Sequence, residues 1–395
     1  MADTTVTIKK DGTGDYTTIG SAVSASNVSS GFYKMVIDDS GEYSENVTLE
    51  AATGTPTSSN YMWLTVSSSN RHSGVHESNY SSPSHARLKG SSSYCLWLKD
   101  DYSRVEYLDM NCLNNTIMVG MSGDHTLMSR CIMAGNGADF TAEAIFVSGS
   151  GSRYIDNCLI QQFEQANYIQ LSGVSANLNV YHDYCTFVDN GGFSAGSDDS
   201  NIYTVQYVSG YTLTCYLNNV GLADGTSADI INAATSNPTT FSGSHNAWDN
   251  DTSSFSGATN SLTNTQDISS GGLTATTTTA NAMIVSDLTT WPYNYTPVEA
   301  TGSGSNLLLG NGDNRQGSEP DSRQDFSTDI RGKARPTSAG KIDIGAFQIT
   351  TVPGFKYWNG SAFVDTTGVQ YWNGSAWVDV TGIQYYNGSA WTDPS

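Results

Sequence analysis

Basic residues are scarce. Lys and Arg total 17 against 38 Asp and Glu in 395 residues, a formal net charge of −21. Such a chain offers no basic groove for phosphates and no patch for an anionic bilayer, so we expect neither nucleic acid nor membrane insertion. Charge of either sign is thin, at 14% of residues. Long apolar runs are missing too. None approaches the roughly 18 residues of a membrane-crossing helix, and the opening "MADTTVTIKKDG" lacks the apolar centre of a secretory signal. The expectation is a product made in a host cytoplasm without a signal peptide, leaving by lysis, by another route or as part of a particle. The six cysteines are Cys95, Cys112, Cys131, Cys158, Cys185 and Cys215. They form no CxxC pair and none sits at zinc-finger spacing with His. No His-Glu-x-x-His or phosphate-cradling glycine loop occurs. We therefore expect no cofactor and no metal. Two oxygen-rich stretches, "WDNDTSS" and "GDNRQGSEPDSRQD", depart from the spacing of a calcium loop and read as surface turns.

Gly, Ser, Thr and Asn fill the space that charge leaves, while hydrophobic residues still reach 37% and aromatics 11%, enough for a core. This is the composition of an all-β protein with many turns. From Tyr94 to about Ala247 a unit recurs. One half is a short alternating strand ending in Ser-Gly, as in "TIMVGMSG", "EAIFVSG" and "NYIQLSG"; the other follows at once, as in "DHTLMSRCIM", "SRYIDNCLI" and "NLNVYHDYCTF". Units of about 20–30 residues made of strands and turns must stack to bury their apolar faces, which makes a β-solenoid. Stacking should superpose Cys112, Cys131, Cys158 and Cys185, with Val220 next in line, as reduced thiols in a buried row. The insertion from Asn190 to Ser200 should project from one edge. In "GDYTTIGSAVSAS", Ile19, Ala22 and Val23 share one face of a short helix that could cap the first coil.

The segments "VTIKKDGTGDYTTIGSAVSA" and "GEYSENVTL" resemble the opening of right-handed parallel β-helix proteins, the pectinesterase and pectate-lyase-like group. "DIRGKARPTSAGKIDIGAFQ" resembles the closing segment of many β-helix proteins of bacteria and their phages. The resemblance implies a right-handed parallel β-helix over about residues 4–350. For a pectinesterase it would also imply ester hydrolysis by paired Asp with Gln and Arg. Gly41, Tyr43 and Glu45 match one motif of that group, but neither Asp-Phe-Ile-Phe-Gly nor Gly-Arg-Pro-Trp is present, so no catalytic role is carried over.

Two carboxylates flanking a sugar bond would suit glycoside cleavage. Asp156, Glu164, Asp183, Asp189, Asp198 and Asp199 are candidates, and Asp156 and Asp183 hold equivalent places in successive coils. His182 beside Asp183 is a candidate base. The plainer expectation puts these carboxylates on the solvated outside of the solenoid, with His182 exposed and idle.

After residue 350 the character changes. Tyr357–Asp365 recurs as Tyr371–Asp379 and Tyr385–Asp393, each with Asn-Gly between alternating aromatic runs, a strong hairpin signal. Three hairpins over 351–395 cannot enclose a large core alone. Tyr357, Trp358, Tyr371, Trp372, Trp377, Tyr385, Tyr386 and Trp391 either pack the meander or stack on a glycan or partner. The repeats resemble carbohydrate- or wall-binding repeats of phage and bacterial surface proteins. The expected division is 1–350 for the β-helix, its cap and an irregular closing stretch from about 260, then 351–395 for the hairpins. The whole resembles a phage tail spike, fibre or capsid decoration protein. That implies a virion surface location, other virion proteins as partners, homo-oligomers with a trimer as one candidate, and a host surface glycan as ligand. A polysaccharide lyase, depolymerase or esterase-like enzyme and a secreted bacterial adhesin are the alternatives.

Overall fold

The computed structural model describes residues 3–76, 83–90, 94–112, 117–135, 143–163, 165–188, 190, 200–223, 228–233, 239–248, 312–337 and 342–348, together with the backbone of short strands at 259–263, 266–267, 284–285 and 296–297 and beyond 350. The side chains of 112, 223, 228–229, 231–232 and 248, and of every strand residue beyond 258 outside 312–348, lie outside the description. So do Glu164, Asp189, Asp198, Asp199, most of the Asn190–Ser200 insertion, and the eight tail aromatics as side chains. The chain splits into two compact units, Met1–Ile349 and Thr350–Ser395.

The first unit is a right-handed parallel β-helix with three sheets. One coil runs Ile117–Met121, Thr126–Ser129, Ile132–Ala134, and the next begins at Glu143–Ser148. Each strand pairs in parallel with its equivalent one coil on. Sheet 1 has ten strands, from Thr4–Ile8 to Thr259–Thr263, including Arg104–Glu106, Gly151–Asp156, Leu178–Asp183 and Leu213–Asn218. Sheet 2 has nine, from Gly41–Ser44 to Gln266–Asp267, and sheet 3 has seven, from Val47–Leu49 to Ala228–Asn232. Alternation decides which residues point in. Leu178, Val180 and His182 are buried while Asn179 and Tyr181 between them are not.

Sheet 1 turns into sheet 2 through a one-residue corner. Tyr107, Arg130, Asn157, Tyr184, Asn219 and His245 occupy it in successive coils, with φ between 51° and 60°. A non-glycine residue in the left-handed region costs about 1–2 kcal/mol. Backbone bonds between coils hold the corner, such as Arg130 N–H to the Asp156 carbonyl and Asn157 N–H to the Asp183 carbonyl, at 3.0 and 2.9 Å. The residue after each corner points inward. That row reads Leu108, Cys131, Cys158, Cys185, Val220, all fully buried. The thiols Cys131, Cys158 and Cys185 stack as the repeat implies, and burial raises those of Cys131 and Cys158 well above the usual range. Cys112 is a correction. Leu108 fills its expected place, and Cys112 ends the strand Asp109–Cys112 opposite Gly90. The corner of that coil is Tyr107, so Cys112 lies beyond Asn111, the partner of Ala134, at the far end of the sheet-2 strand.

At the start, helix α1 (Ile19–Ser24) buries Ile19, Ala22 and Val23. Thr18 caps it, accepting from Ser21 N–H at 3.1 Å, and the Glu45 carboxylate accepts from Ile19 and Gly20 N–H at 2.9 and 2.8 Å. Glu45 is thus a helix-capping residue in this chain. Tyr43 of the same motif is buried, its hydroxyl on the Asp39 carboxylate. In the second unit the backbone forms three antiparallel pairs: Lys356–Trp358 with Phe363–Asp365, Gln370–Trp372 with Trp377–Asp379, and Tyr385–Tyr386 with Trp391–Thr392.

Because Val220 fills the row that Cys131, Cys158 and Cys185 share, Cys158→Val should cost under about 1.5 kcal/mol in denaturant unfolding, while Cys158→Asp should prevent folding. These three thiols should resist a disulfide reagent until the protein unfolds. Rapid native-state labelling of Cys158 would contradict the stack.

Candidate functional site

Sheet 1 carries an outward polar row just before the corner. Glu106, Ser129, Asp156, Asp183, Asn218 and Ser244 are paired in register, coil upon coil. The stacking expected of Asp156 and Asp183 is present: they are direct partners in adjacent parallel strands, about 4.8 Å apart. Their exposure is a correction. Both are fully buried. The closing segment, residues 312–348, crosses the corner and covers them.

Among the described residues, five of the chain's 17 basic residues lie in this strap: Arg315, Arg323, Arg331, Lys333 and Arg335. Arg323 donates to the carbonyls of Tyr102 and His125 and pairs with Asp321 at 2.8 Å. From the coil side, Arg130 donates to Asp325 and Thr328. Gln324 donates to Asp156 Oδ2 at 3.3 Å, and Arg315 Nε lies 2.9 Å from Asp183 Oδ1. Arg335 is buried over the Tyr184 ring, 4.0 Å from its centre, and donates to Asn157 Oδ1 at 2.9 Å. Asp329 folds the strap on itself, accepting from Arg331, Lys333 and Gln348 backbone N–H groups. The segment resembling other β-helix closures therefore acts here as a cover.

Burial pushes the Asp183 carboxyl up to about 7 against the pull of Arg315, and that of Asp156 up to about 6 against Arg130 and Ser129. Two neighbouring carboxyls share the site because each can hold a proton. Raised carboxyls in a pair are what acid–base chemistry uses, but here no open space reaches them among the described residues. His182 is a second correction. It points inward, in line with Ile155 and Leu217, and is fully buried. Burial lowers it to about 3, and its Nε2 meets Asn167 Nδ2 at 2.5 Å. A neutral imidazole in the solenoid core cannot reach a substrate.

A further cluster had no signal in the sequence because its members come from a loop and two coils. Asp109 Oδ1 meets His76 Nδ1 at 2.7 Å, and Oδ2 meets His85 Nε2 at 2.6 Å and Arg87 Nε at 3.0 Å. Burial would raise this carboxyl, yet the His76, His85 and Arg87 contacts hold it well below the usual range. His72, lowered to about 4 by burial, donates its Nε2–H to the Arg130 carbonyl at 2.9 Å, while its Nδ1 accepts from the Gly74 N–H. Asp109 thus holds three side chains in one buried polar cluster. Among the described residues no group of His, Cys, Asp and Glu has the arrangement of a metal site.

Sheet 3 is different. Its outward central row reads Thr48, Trp97, Gly120, Phe146, Tyr168, Tyr203, in register. The rings of Phe146, Tyr168 and Tyr203 stack at 5.7 and 5.4 Å, tilted by 16° and 13°. Tyr207, 53% exposed, follows on the same strand's exit. At the near end lies an open groove of about 400 Å³ lined by Thr48, Glu50, Tyr94, Trp97, Lys99 and Ser122. The sequence does hold this row, as the ring at the centre of "LWL", "IFV", "NYI" and "IYT", but only the register shows that the rings share one face.

No family model and no curated protein matches the chain. Among solved structures, an alginate lyase from Paenibacillus sp. str. FPU-7 is similar at 15% identity and a TM-score of 0.32, over 63% of this chain and 94% of that one. A likeness of this size bears on neither activity nor substrate.

The carboxyls of Asp156 and Asp183 keep their protons more firmly when folded. The stability they contribute is complete below about pH 4 and is lost as pH rises through about 6 and 7. Carboxylates held low, such as Asp109, act only below that window. The buried neutral rings of His182 and His72 act with the opposite sign, adding stability as pH rises toward about 6.5, so the share of the acid pair is read as a difference between proteins. The midpoint of Asp183→Asn relative to the wild type should rise between about pH 5 and 8. A difference that does not grow with pH across this window would contradict the sealed pair.

Proposed function

We propose that this chain is a virion surface protein of a bacteriophage, a stiff β-helix displayed for attachment to a host glycan. The observation that carries the attachment reading is the row of rings on sheet 3, with an open groove at its end. Aromatic faces and edges suit sugar rings, and half-buried rings set in register on a rigid sheet lose little entropy on binding. The particle reading rests on composition and resemblance: an acidic, turn-rich solenoid with no recognised catalytic set and a repeated aromatic hairpin tail. Stacked coils give a long lever that resists proteolysis. The tail aromatics, Trp372 and Trp377 foremost, would anchor the protein to the particle or to a second glycan, in a homo-oligomer.

A second reading, a polysaccharide-degrading enzyme, is favoured by one observation, the adjacent raised carboxyls of Asp156 and Asp183. The strap over them argues against it.

Two measurements test this. Mass spectrometry of particles purified from a culture carrying the gene should find the chain as a stoichiometric component, and its absence would remove the virion reading. Purified full-length protein should release neither reducing ends nor unsaturated products from pectin or alginate. Release that Asp183→Asn abolishes would establish the enzyme instead.

A further inference from the structure

We infer that Trp97 is the floor of a binding subsite for one neutral pyranose unit of a polysaccharide. This rests on the attachment reading and names its ligand class and place. Trp97 sits where the ladder of rings is interrupted. Its partner one coil on is Gly120, not an aromatic. A methyl group at Gly120 would lie 2.6 Å from Trp97 Cδ2 and Cε3 and 2.9 Å from Cε2, so the indole lies flat on the bare backbone. The next ring, Phe146, stands 6.3 Å away at 51°, too tilted to cover the indole. One face of Trp97 is therefore packed and the other lines the groove. By contrast, Phe146, Tyr168 and Tyr203 use their faces on one another.

The indole is held in that pose. Its Nε1 donates to Ser122 Oγ at 2.9 Å, and Tyr94 stands against it edge-on at 5.4 Å and 75°. The Tyr94 hydroxyl is fixed in turn by Thr48 Oγ1 at 2.9 Å. A flat, electron-rich face pre-set in this way takes the axial C–H face of a pyranose, whose hydrogens carry slight positive charge. The rim supplies the polar arms. Lys99 Nζ and Glu50 Oε2 pair at 2.8 Å, each about half exposed, and can turn donor and acceptor to neighbouring hydroxyls. The groove volume falls in the range of small-molecule sites. The rim pair is neutral as a unit and the chain carries −21, so a polyanion is repelled while an uncharged sugar is not.

Affinity electrophoresis of the full-length protein through gels holding a single polysaccharide tests this. The neutral probes are dextran, laminarin and xyloglucan; the anionic ones are alginate and polygalacturonate. At least one neutral gel should retard the wild type, and neither anionic gel should. Trp97→Ala and Gly120→Ala, which respectively removes and displaces the indole, should each weaken retardation about tenfold or more. The exposed rim variant Glu50→Gln/Lys99→Met cannot unfold a core and should weaken it about threefold or more. Thermal melts identify any variant that has lost its fold, in which case the rim variant decides. Retardation by none of the neutral gels, by an anionic gel, or equally for wild type and folded variants overturns the inference. If folded variants still bind whole host cells as the wild type does, attachment stands and only the Trp97 subsite fails. If the wild type binds no cell and no gel, the attachment reading falls with it.

Discussion

One constraint governs this molecule: parallel strands stacked in register about 4.8 Å apart place every side chain directly over its counterpart in the next coil. A residue cannot be chosen for its own coil alone. It must suit the rungs above and below. Inside, this gives the row Leu108, Cys131, Cys158, Cys185 and Val220, where a small apolar group is what the close spacing admits. At the corner it gives six non-glycine residues in the left-handed region, tolerated because inter-coil bonds fix each one. Outside, it multiplies whatever the first rung presents, whether rings on sheet 3 or polar groups on sheet 1.

Multiplying an acid is costly, since like charges at rung spacing repel. The molecule meets this in three ways. Ser129, Asn218 and Ser244 interrupt the acidic row. The two adjacent carboxyls, Asp156 and Asp183, titrate near 6 and 7 and so can stay protonated. The strap then brings much of the chain's small stock of basic residues to this one corner, Arg315 on Asp183 and Arg335 on Asn157. The same cover that settles the electrostatics closes the pair to substrates. The proposed glycan face lies instead on the sheet that carries rings, with the Lys99–Glu50 pair at its rim.

Much of the fold was legible because a solenoid writes its period into the chain. The alternation in "NLNVYHDYCTF", the inward cysteines and the i, i+3, i+4 face of α1 all follow from local rules. What failed did so for non-local reasons. Asp156 and Asp183 read as solvated because the strap that buries them lies over 120 residues downstream. His182 read as exposed because the register of Leu178–Asp183, not its charge, turns it inward. Cys112 was misplaced because the corner of its coil is Tyr107 and not the residue before the cysteine. The groove at Trp97 was invisible because it depends on an absent side chain, at Gly120, one coil away.

The central claim is that one outer face is sealed and another open. Hydroxyl-radical footprinting of the native full-length chain, read residue by residue, tests it most directly. The account predicts modification of Trp97, Tyr168, Tyr203 and Tyr207 on sheet 3, with Tyr184 under the strap and Phe326 of the strap, packed against it, protected until unfolding. Native modification of Tyr184 and Phe326 at rates matching those of Trp97 would contradict it.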